Sequence, residues 1–560
     1  MNISLGKYQT AVEKSLNHIS RERVIARIWQ KDHTVWRNDP TEISNRLGWL
    51  DCIDVTKKSF DEINLFVEEI RKEGFTDALL MGMGGSSLTP EVFRFTFGLK
   101  KGYLDLHVLD STHPETILEY ENKLDPNKTL YIVATKSGGT VETMSFMKYF
   151  FTSVSTKLGR EKASKHFIAI TDPESGLEEM ARNLNFRKIF LNDPNIGGRF
   201  SALSLFGIVP AALIGVDLDK LFDEVSKLIV ECKRPEVSDN SGAKLGGIIG
   251  ALAKEGVDKL TLIISPQLKY LGGWLEQLIA ESTGKDGKGI LPVDLEPSVS
   301  VIEYGSDRVF VYLKITGDNF FDKKVSEIKN AGFPPIEIEM ENVYQLGAEF
   351  FRWEFATAVA SYILDVQPFN QPNVESAKVA ARAMMKEYQQ KGKLPELTPA
   401  LESEGIKVFG DIKADNLNNA ISSFISNCER GKSYITIQAF LKPDEKTWQQ
   451  LQILRLKILQ KYKIATTLGY GPRFLHSTGQ LHKGDGGNGY FIQLISNYSN
   501  DVVIPDTTGE KNSSISFGTL IRAQELGDRQ ALIDNSRKVL TVDFGANIIT
   551  NLEKLINSIK

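Results

Sequence analysis

From residue 76 onward the chain alternates short, nearly continuous apolar runs with longer stretches whose apolar residues recur every three or four positions. The short runs predict buried strands at 77–81, 104–109, 129–134 and 167–171. The longer stretches between them predict helices, for example at 141–158 and 176–184. Such alternation builds βαβ units and a parallel sheet covered by helices. A second series carries strands at 259–265, 308–315 and 335–340, then a long helical segment over 343–362. A third begins near residue 393, after the polar Gln389-Gln390-Lys391-Gly392-Lys393, with strands at 406–409, 434–440, 490–495 and 539–544. Residues 1–60 read instead as helices, broken at Asn38-Asp39-Pro40. The expected class is α/β: an N-terminal helical segment over 1–75, α/β modules over 76–230 and 231–392, and an additional C-terminal α/β module over 393–560.

Size and charge narrow the partners. At 560 residues the chain exceeds what one core supports. Charged residues make up 25% and apolar ones 41%, as in ordinary globular proteins. A net charge of −4 and the lack of a Lys/Arg-rich run argue against nucleic acid as a partner. The first 25 residues are polar and mixed in charge, which predicts no signal peptide. The longest apolar stretch, 200–216, contains Ser201, Ser204, Gly207 and Pro210 and is bracketed by Arg199 and Asp217. It predicts a buried helix, not a membrane span. Cys52, Cys232 and Cys428 are few and far apart, so neither a disulfide framework nor a zinc site is expected, and a cytoplasmic location fits.

Five stretches carry chemistry. Gly82-Met83-Gly84-Gly85-Ser86-Ser87 follows the strand at 77–81, and its glycines allow an anion close to the backbone and to a helix start. A dinucleotide fingerprint is the rival reading, since Asp110 lies where a ribose-binding acid would, but Ser87 replaces the third glycine. The loop 134–143 offers the hydroxyls of Thr135, Ser137 and Thr140 beside Lys136 and two glycines, a small cradle for a phosphate monoester. It lacks the pattern of a nucleoside triphosphate loop. Gly197-Gly198-Arg199 puts a permanent cation at the mouth of an apolar helix, where it can stabilise a developing enediolate. In Gln277-Leu278-Ile279-Ala280-Glu281-Ser282-Thr283-Gly284-Lys285 the amide and the carboxylate lie four apart, on one face of a helix and at the edge of a core. A carboxylate there is suited to act as a general base. Finally, 369–378 opens a helix with Gln371 at its entrance and Lys378 two turns on. A loop histidine, a solvated lysine or glutamate, or a capped helix start is the plainer reading of each motif taken alone.

Together, and in this order, the stretches resemble the phosphoglucose isomerase family, whose members are built from two sugar-isomerase (SIS) modules, each a doubly wound parallel-sheet sandwich. The resemblance spans roughly residues 76–390. It implies that Glu281 shuttles a proton between C1 and C2 and that Arg199 stabilises the cis-enediol. It further implies that Gly84, Gly85, Ser86, Thr135, Lys136, Ser137, Thr140 and Gly198 meet the substrate, with Gln277 and Gln371 lining the sugar and Lys378 helping to open the ring. No cofactor and no metal are expected. The family also uses a histidine after the glutamate, often supplied by a second subunit, yet no histidine lies between Glu281 and Lys378. The suggestive ones, His476 and His482, fall in Gly471-Pro472-Arg473-Phe474-Leu475-His476-Ser477-Thr478-Gly479-Gln480-Leu481-His482. Ring opening needs a group that exchanges protons near neutrality, which suits histidine, and His482 is the first choice, His476 the second.

That last stretch, with Asn45-Arg46-Leu47-Gly48-Trp49-Leu50-Asp51, is similar to the isomerase half of bifunctional transaldolase/isomerase proteins. The segment before residue 76 is too short for the α/β barrel of the other half, so transaldolase activity is not expected. The expectation is a cofactor-free aldose–ketose isomerase of glucose 6-phosphate and fructose 6-phosphate, with mannose 6-phosphate left open as a further substrate. A small sugar phosphate is the expected partner, and a homodimer is allowed but not required. Two rivals stand beside it: a non-catalytic sugar-phosphate sensor, which would have no use for Glu281, and a nicotinamide-dependent dehydrogenase built on Gly82–Ser87 and Asp110.

Overall fold

The computed structural model describes residues 1–559 and contains three main sheets. The first has five parallel strands in the order Asp105–Leu109, Asp77–Gly82, Thr129–Ala134, Phe167–Thr171, Lys188–Leu191. The second runs Asn2–Ile3, Pro335–Met340, Arg308–Ile315, Lys259–Ile264, Leu291–Val293, parallel except for its first strand. The third has six strands, Leu401–Ser403, Ile406–Phe409, Lys538–Asp543, Gly489–Ile495, Tyr434–Phe440 and Ala465–Tyr470. Its last four are mutually parallel, and the first two add on antiparallel. Buried on both faces, the central strands read as unbroken apolar runs, which is why the sequence pattern exposes them.

The short edge strands escape that pattern. Lys188–Leu191 and Leu291–Val293 are too brief for a period to show, and Ala465–Tyr470 is diluted by two threonines and a glycine. The apolar stretch 200–216 is not one helix. A turn at Gly198–Phe200 is followed by Leu205–Leu213, whose start is capped by Ser204 accepting from the Phe206 N–H. That break lets Arg199 leave the core and reach the crevice between sheets.

One apolar core joins the N-terminal helices to the first two sheets, taking in Ile19, Ile28, Trp49, Leu80, Ile132, Leu260 and Val311. The helix Leu346–Leu364 runs through it, buried on nearly all sides, as expected of a helix without a polar stripe. The third sheet has its own core, around Ile437, Leu454, Ile492 and Val542. It is fixed to the second by buried polar contacts. The fully buried Arg455 donates to the carbonyls of Asp294 and Leu295, each at 3.0 Å. Glu296, paired with Arg308 at 2.9 Å, accepts from the Thr466 N–H at 2.8 Å. Burying such ions without all these partners would cost several kcal/mol, roughly, so the two sheets are held in one relative orientation. No helix among the described residues is long and apolar enough to cross a membrane.

Candidate active site

The helix Leu271–Thr283 sets the centre of the site. Trp274, Leu275, Leu278 and Ile279 are buried and hold one side against the core. The four-residue spacing places Gln277 and Glu281 together on the remaining face. Gln277 Nε2 donates to Glu281 Oε2 at 3.2 Å and to the His476 backbone carbonyl at 2.8 Å. The Glu281 side chain keeps 13% of its surface, enough to meet a ligand.

Opposite it, Arg199 Nη1 lies 3.3 Å from Glu281 Oε1 and 3.0 Å from Gln371 Oε1. Its other donors are fixed by Ser282 Oγ at 2.8 Å, the Asn370 carbonyl at 3.0 Å and the Pro368 carbonyl. Burial draws the Arg199 pKa down and the Glu281 charge opposes it, but a guanidinium stays charged in a protein. Beside it Lys285 is buried, with Nζ 2.5 Å from the Asn370 carbonyl, and burial pushes its pKa well down.

The two glycine loops, at the ends of neighbouring strands, differ. Gly84 and Gly85 are buried under protein: a Cβ on Gly85 would stand 2.0 Å from the Gly198 carbonyl oxygen, and one on Gly84 2.6 Å from Gln277 Nε2. These glycines let the loop touch Gln277 and Gly198, leaving Ser86 half-buried and Gly198 exposed at the rim. The loop 134–143 is open. Thr135 and Thr140 share a hydroxyl contact at 3.1 Å, and Ser137 is exposed. Lys136 does not face this cradle. Its Nζ pairs with Asp172 and donates to the Pro194 carbonyl at 2.8 Å, which braces the loop from behind and corrects the expectation that it meets the phosphate.

His476 comes from the third sheet's region, in the turn Arg473–His476. Its Nε2 is 2.9 Å from Glu142 Oε1, on the buried first turn of the helix Val141–Leu158. Burial would raise the Glu142 pKa, but the attraction and hydrogen bond of His476, with the charge of Lys378, hold it below the ordinary 4.5. An ionised carboxylate can only accept, so Nε2 is the donor in this contact. Gln524 Nε2 also donates to Glu142 Oε1, at 2.6 Å, and accepts from Thr112 through its oxygen. Lys378 is exposed on the helix Val374–Lys391, loosely 4.0 Å from Glu375.

His482 is elsewhere, which overturns its place as first choice. The residue is 1% exposed, its ring enclosed by Phe474 and Phe491, with only a 3.5 Å contact from Nδ1 to Gln438. Its Nε2 has no partner, and burial together with Lys483 and Arg537 pushes its pKa well below the imidazole range. A side chain so enclosed cannot touch a sugar. The sequence also passed over Glu142 and Gln524. Glu142 stood within the quoted loop, but nothing local marks a contact 334 positions away.

The structure disfavours the nucleotide reading on its own terms. Asp110, the would-be ribose ligand, is buried and paired with Arg473 at 3.1 Å, which also holds Glu91. One carboxylate–histidine group that the sequence spacing hid is formed by Asp77, Asp105 and His107. It lies where the first-sheet strands begin, at the end away from Glu281, and Arg94 and His107 balance its acids.

Comparison with known proteins fits this arrangement. The family model for phosphoglucose isomerase matches residues 44–306. The chain is 28% identical over 416 residues to glucose-6-phosphate isomerase of Mycoplasmopsis pulmonis (strain UAB CTIP), covering 66% of this chain and 96% of that one. It is 28% identical over 384 residues to the Staphylococcus saprophyticus enzyme of the same name, covering 60% and 86%. Among solved structures, a hypothetical protein from Thermus thermophilus superposes with a TM-score of 0.58 at 24% identity, covering 68% and 99%. A glucose-6-phosphate isomerase from Chlamydia trachomatis superposes with a TM-score of 0.57 at 17% identity, covering 67% and 86%. These two likenesses establish the fold. The stretch matched to the family ends before Gln371, Lys378 and His476, and it contains the helix of Glu281, Arg199 and the hydroxyl loop. With its paired parallel-sheet modules, the chain is similar over residues 44–306 to the phosphoglucose isomerase family.

Proposed function

We propose that the crevice between Glu281, Arg199 and His476 is the active site of an aldose–ketose isomerase that interconverts glucose 6-phosphate and fructose 6-phosphate. The observation that carries the reading is the pairing of a partly exposed carboxylate with a fixed guanidinium at 3.3 Å. Thr135, Ser137 and Thr140 take the phosphate, with the N–H groups of the loop and the helix start behind them.

Ring opening comes first. His476 Nδ1 accepts the O1 proton as the C1–O5 bond breaks, and the Lys378 ammonium donates to O5. Glu281 then removes the C2 proton of the open aldose. The negative charge that develops on O1 is stabilised by Arg199, which is already oriented by three carbonyl or amide oxygens and a hydroxyl and so needs little reorganisation. The proton held on Glu281 is delivered to C1, while the hydroxyl proton passes from O2 to O1, leaving the ketose. A sensor would need neither this carboxylate–guanidinium pair nor His476.

The test is incubation with fructose 6-phosphate in deuterated water, followed by NMR. Deuterium at C2 of newly formed glucose 6-phosphate, absent with Glu281→Gln, is the expected result. No turnover by either protein would return the fold to a binding role.

A further inference from the structure

Gln480 is a fully buried residue of the third sheet's region that bonds to both sides of the proposed active site. Its Nε2 donates to the Gly284 carbonyl at 2.9 Å and to Asn373 Oδ1 at 2.7 Å, and its Oε1 accepts from the Asn373 N–H at 2.9 Å. Gly284 ends the helix that carries Glu281, and Asn373 lies two positions after Gln371, the amide bonded to Arg199. One side chain therefore closes a ring that runs from Glu281 through Arg199 and Gln371 and back to the same helix. The close approach is built into the backbone. A Cβ on Gly284 would stand 2.4 Å from Leu481 Cα, and one on Gly484 would stand 2.4 Å from the Gly284 carbonyl. Four residues before Gln480, the His476 carbonyl receives the Gln277 amide, one turn ahead of Glu281. The segment 476–480 thus grips the helix on both sides of the base.

We propose that Gln480 is a positioning residue for proton transfer, setting the distance between Glu281 and the Arg199–Gln371 pair without touching substrate. The proposal rests on the isomerase reading above. The choice of amide follows from its partners, because Gly284 and the Asn373 side-chain oxygen need a donor while the Asn373 N–H needs an acceptor. No apolar or acidic side chain supplies both at neutral pH. A base displaced by about 1 Å loses on the order of 10²-fold in rate, whereas Gln480 bonds to Gly284 and Asn373 rather than to the hydroxyl loop, so the hold on the phosphate is expected to change little.

The experiment compares wild type, Gln480→Ala and Gln480→Glu for kcat and KM on fructose 6-phosphate over pH 5–8, with melting temperatures recorded alongside. The expected result is a kcat lowered by about 10- to 100-fold in both variants at pH 8, with KM within about threefold of wild type. In Gln480→Glu the kcat ratio to wild type rises as pH falls, since only the protonated carboxyl can donate to Gly284. A merely structural loss would lower the melting temperature and leave that ratio flat. If the alanine variant does not fold, the isosteric variant decides alone. Wild-type kcat in the folded variants, a flat ratio, or a loss confined to KM would overturn the proposal. Absence of turnover in the wild type would overturn the isomerase reading itself, and the brace with it.

Discussion

His476 and His482 share one short segment, yet they occupy opposite environments. The first has a carboxylate on Nε2 and keeps 16% of its side-chain surface; the second is enclosed by two aromatic rings with one nitrogen unpartnered. The difference comes from the fold at that point. A short turn, Arg473–His476, lies against the first sheet's helix, and the helix Gly479–Gly484 then dives into the third sheet's interior. Burial depth and partner together decide which histidine can exchange a proton with a ligand, and neither is visible in a sequence motif that contains both.

The largest effect that tests this contrast is at the base. Glu281→Gln is expected to lower turnover by about 10³-fold with the fold intact, as removal of a general base does; initial rates with both sugar phosphates check it. Full activity would show that the crevice His476 faces is not where the chemistry occurs.

His113 extends the comparison to another buried histidine. Neither of its ring nitrogens has a partner, its ring stands edge-on to Tyr498 at 5.3 Å, and burial lowers its pKa to about 4. Because the folded value lies below the ordinary 6.5, the unfolded chain binds the proton more readily, and stability falls as pH drops from 6.5 toward 4. The loss attributable to this group is about 3 kcal/mol at most over that window. His113→Phe keeps the ring contact and removes the titration, so urea denaturation at pH 4.5 and pH 7 should differ less than in wild type. An unchanged difference would mean that His113 is solvated.

Glu142→Gln sharpens the other side. It keeps the shape but removes the charge that fixes the His476 tautomer, one charge-assisted hydrogen bond of about 1.5 kcal/mol, or roughly tenfold in rate. The loss should appear in kcat for cyclic substrate. Lys136→Met is expected to be milder still, raising KM by about threefold through a looser phosphate loop rather than a lost phosphate contact. A KM increase of a hundredfold would return Lys136 to direct contact.

Much of the fold was legible because strands buried on both faces write themselves as apolar runs: 129–134, 167–171, 308–315 and 434–440 coincide with observed strands. The shortest edge strands were not, because two to four residues carry no period. In the site, Gln277 and Glu281 were readable from helix geometry alone. The partners of His476, Lys136 and Asp110 were not, since each is set by tertiary contact: Glu142 on another element, Asp172 just past the neighbouring strand, and Arg473 from the third sheet's region. The glycines of 82–87 were legible as close approach, but what approaches them is protein as much as ligand.

The most direct test of the account is the turnover of glucose 6-phosphate by His476→Gln beside His482→Phe. A loss of about 10²-fold is expected in the first, from removal of a proton-transfer group, and turnover within about twofold of wild type in the second. The reverse pattern, with His476→Gln active and His482→Phe inactive though folded, would contradict it.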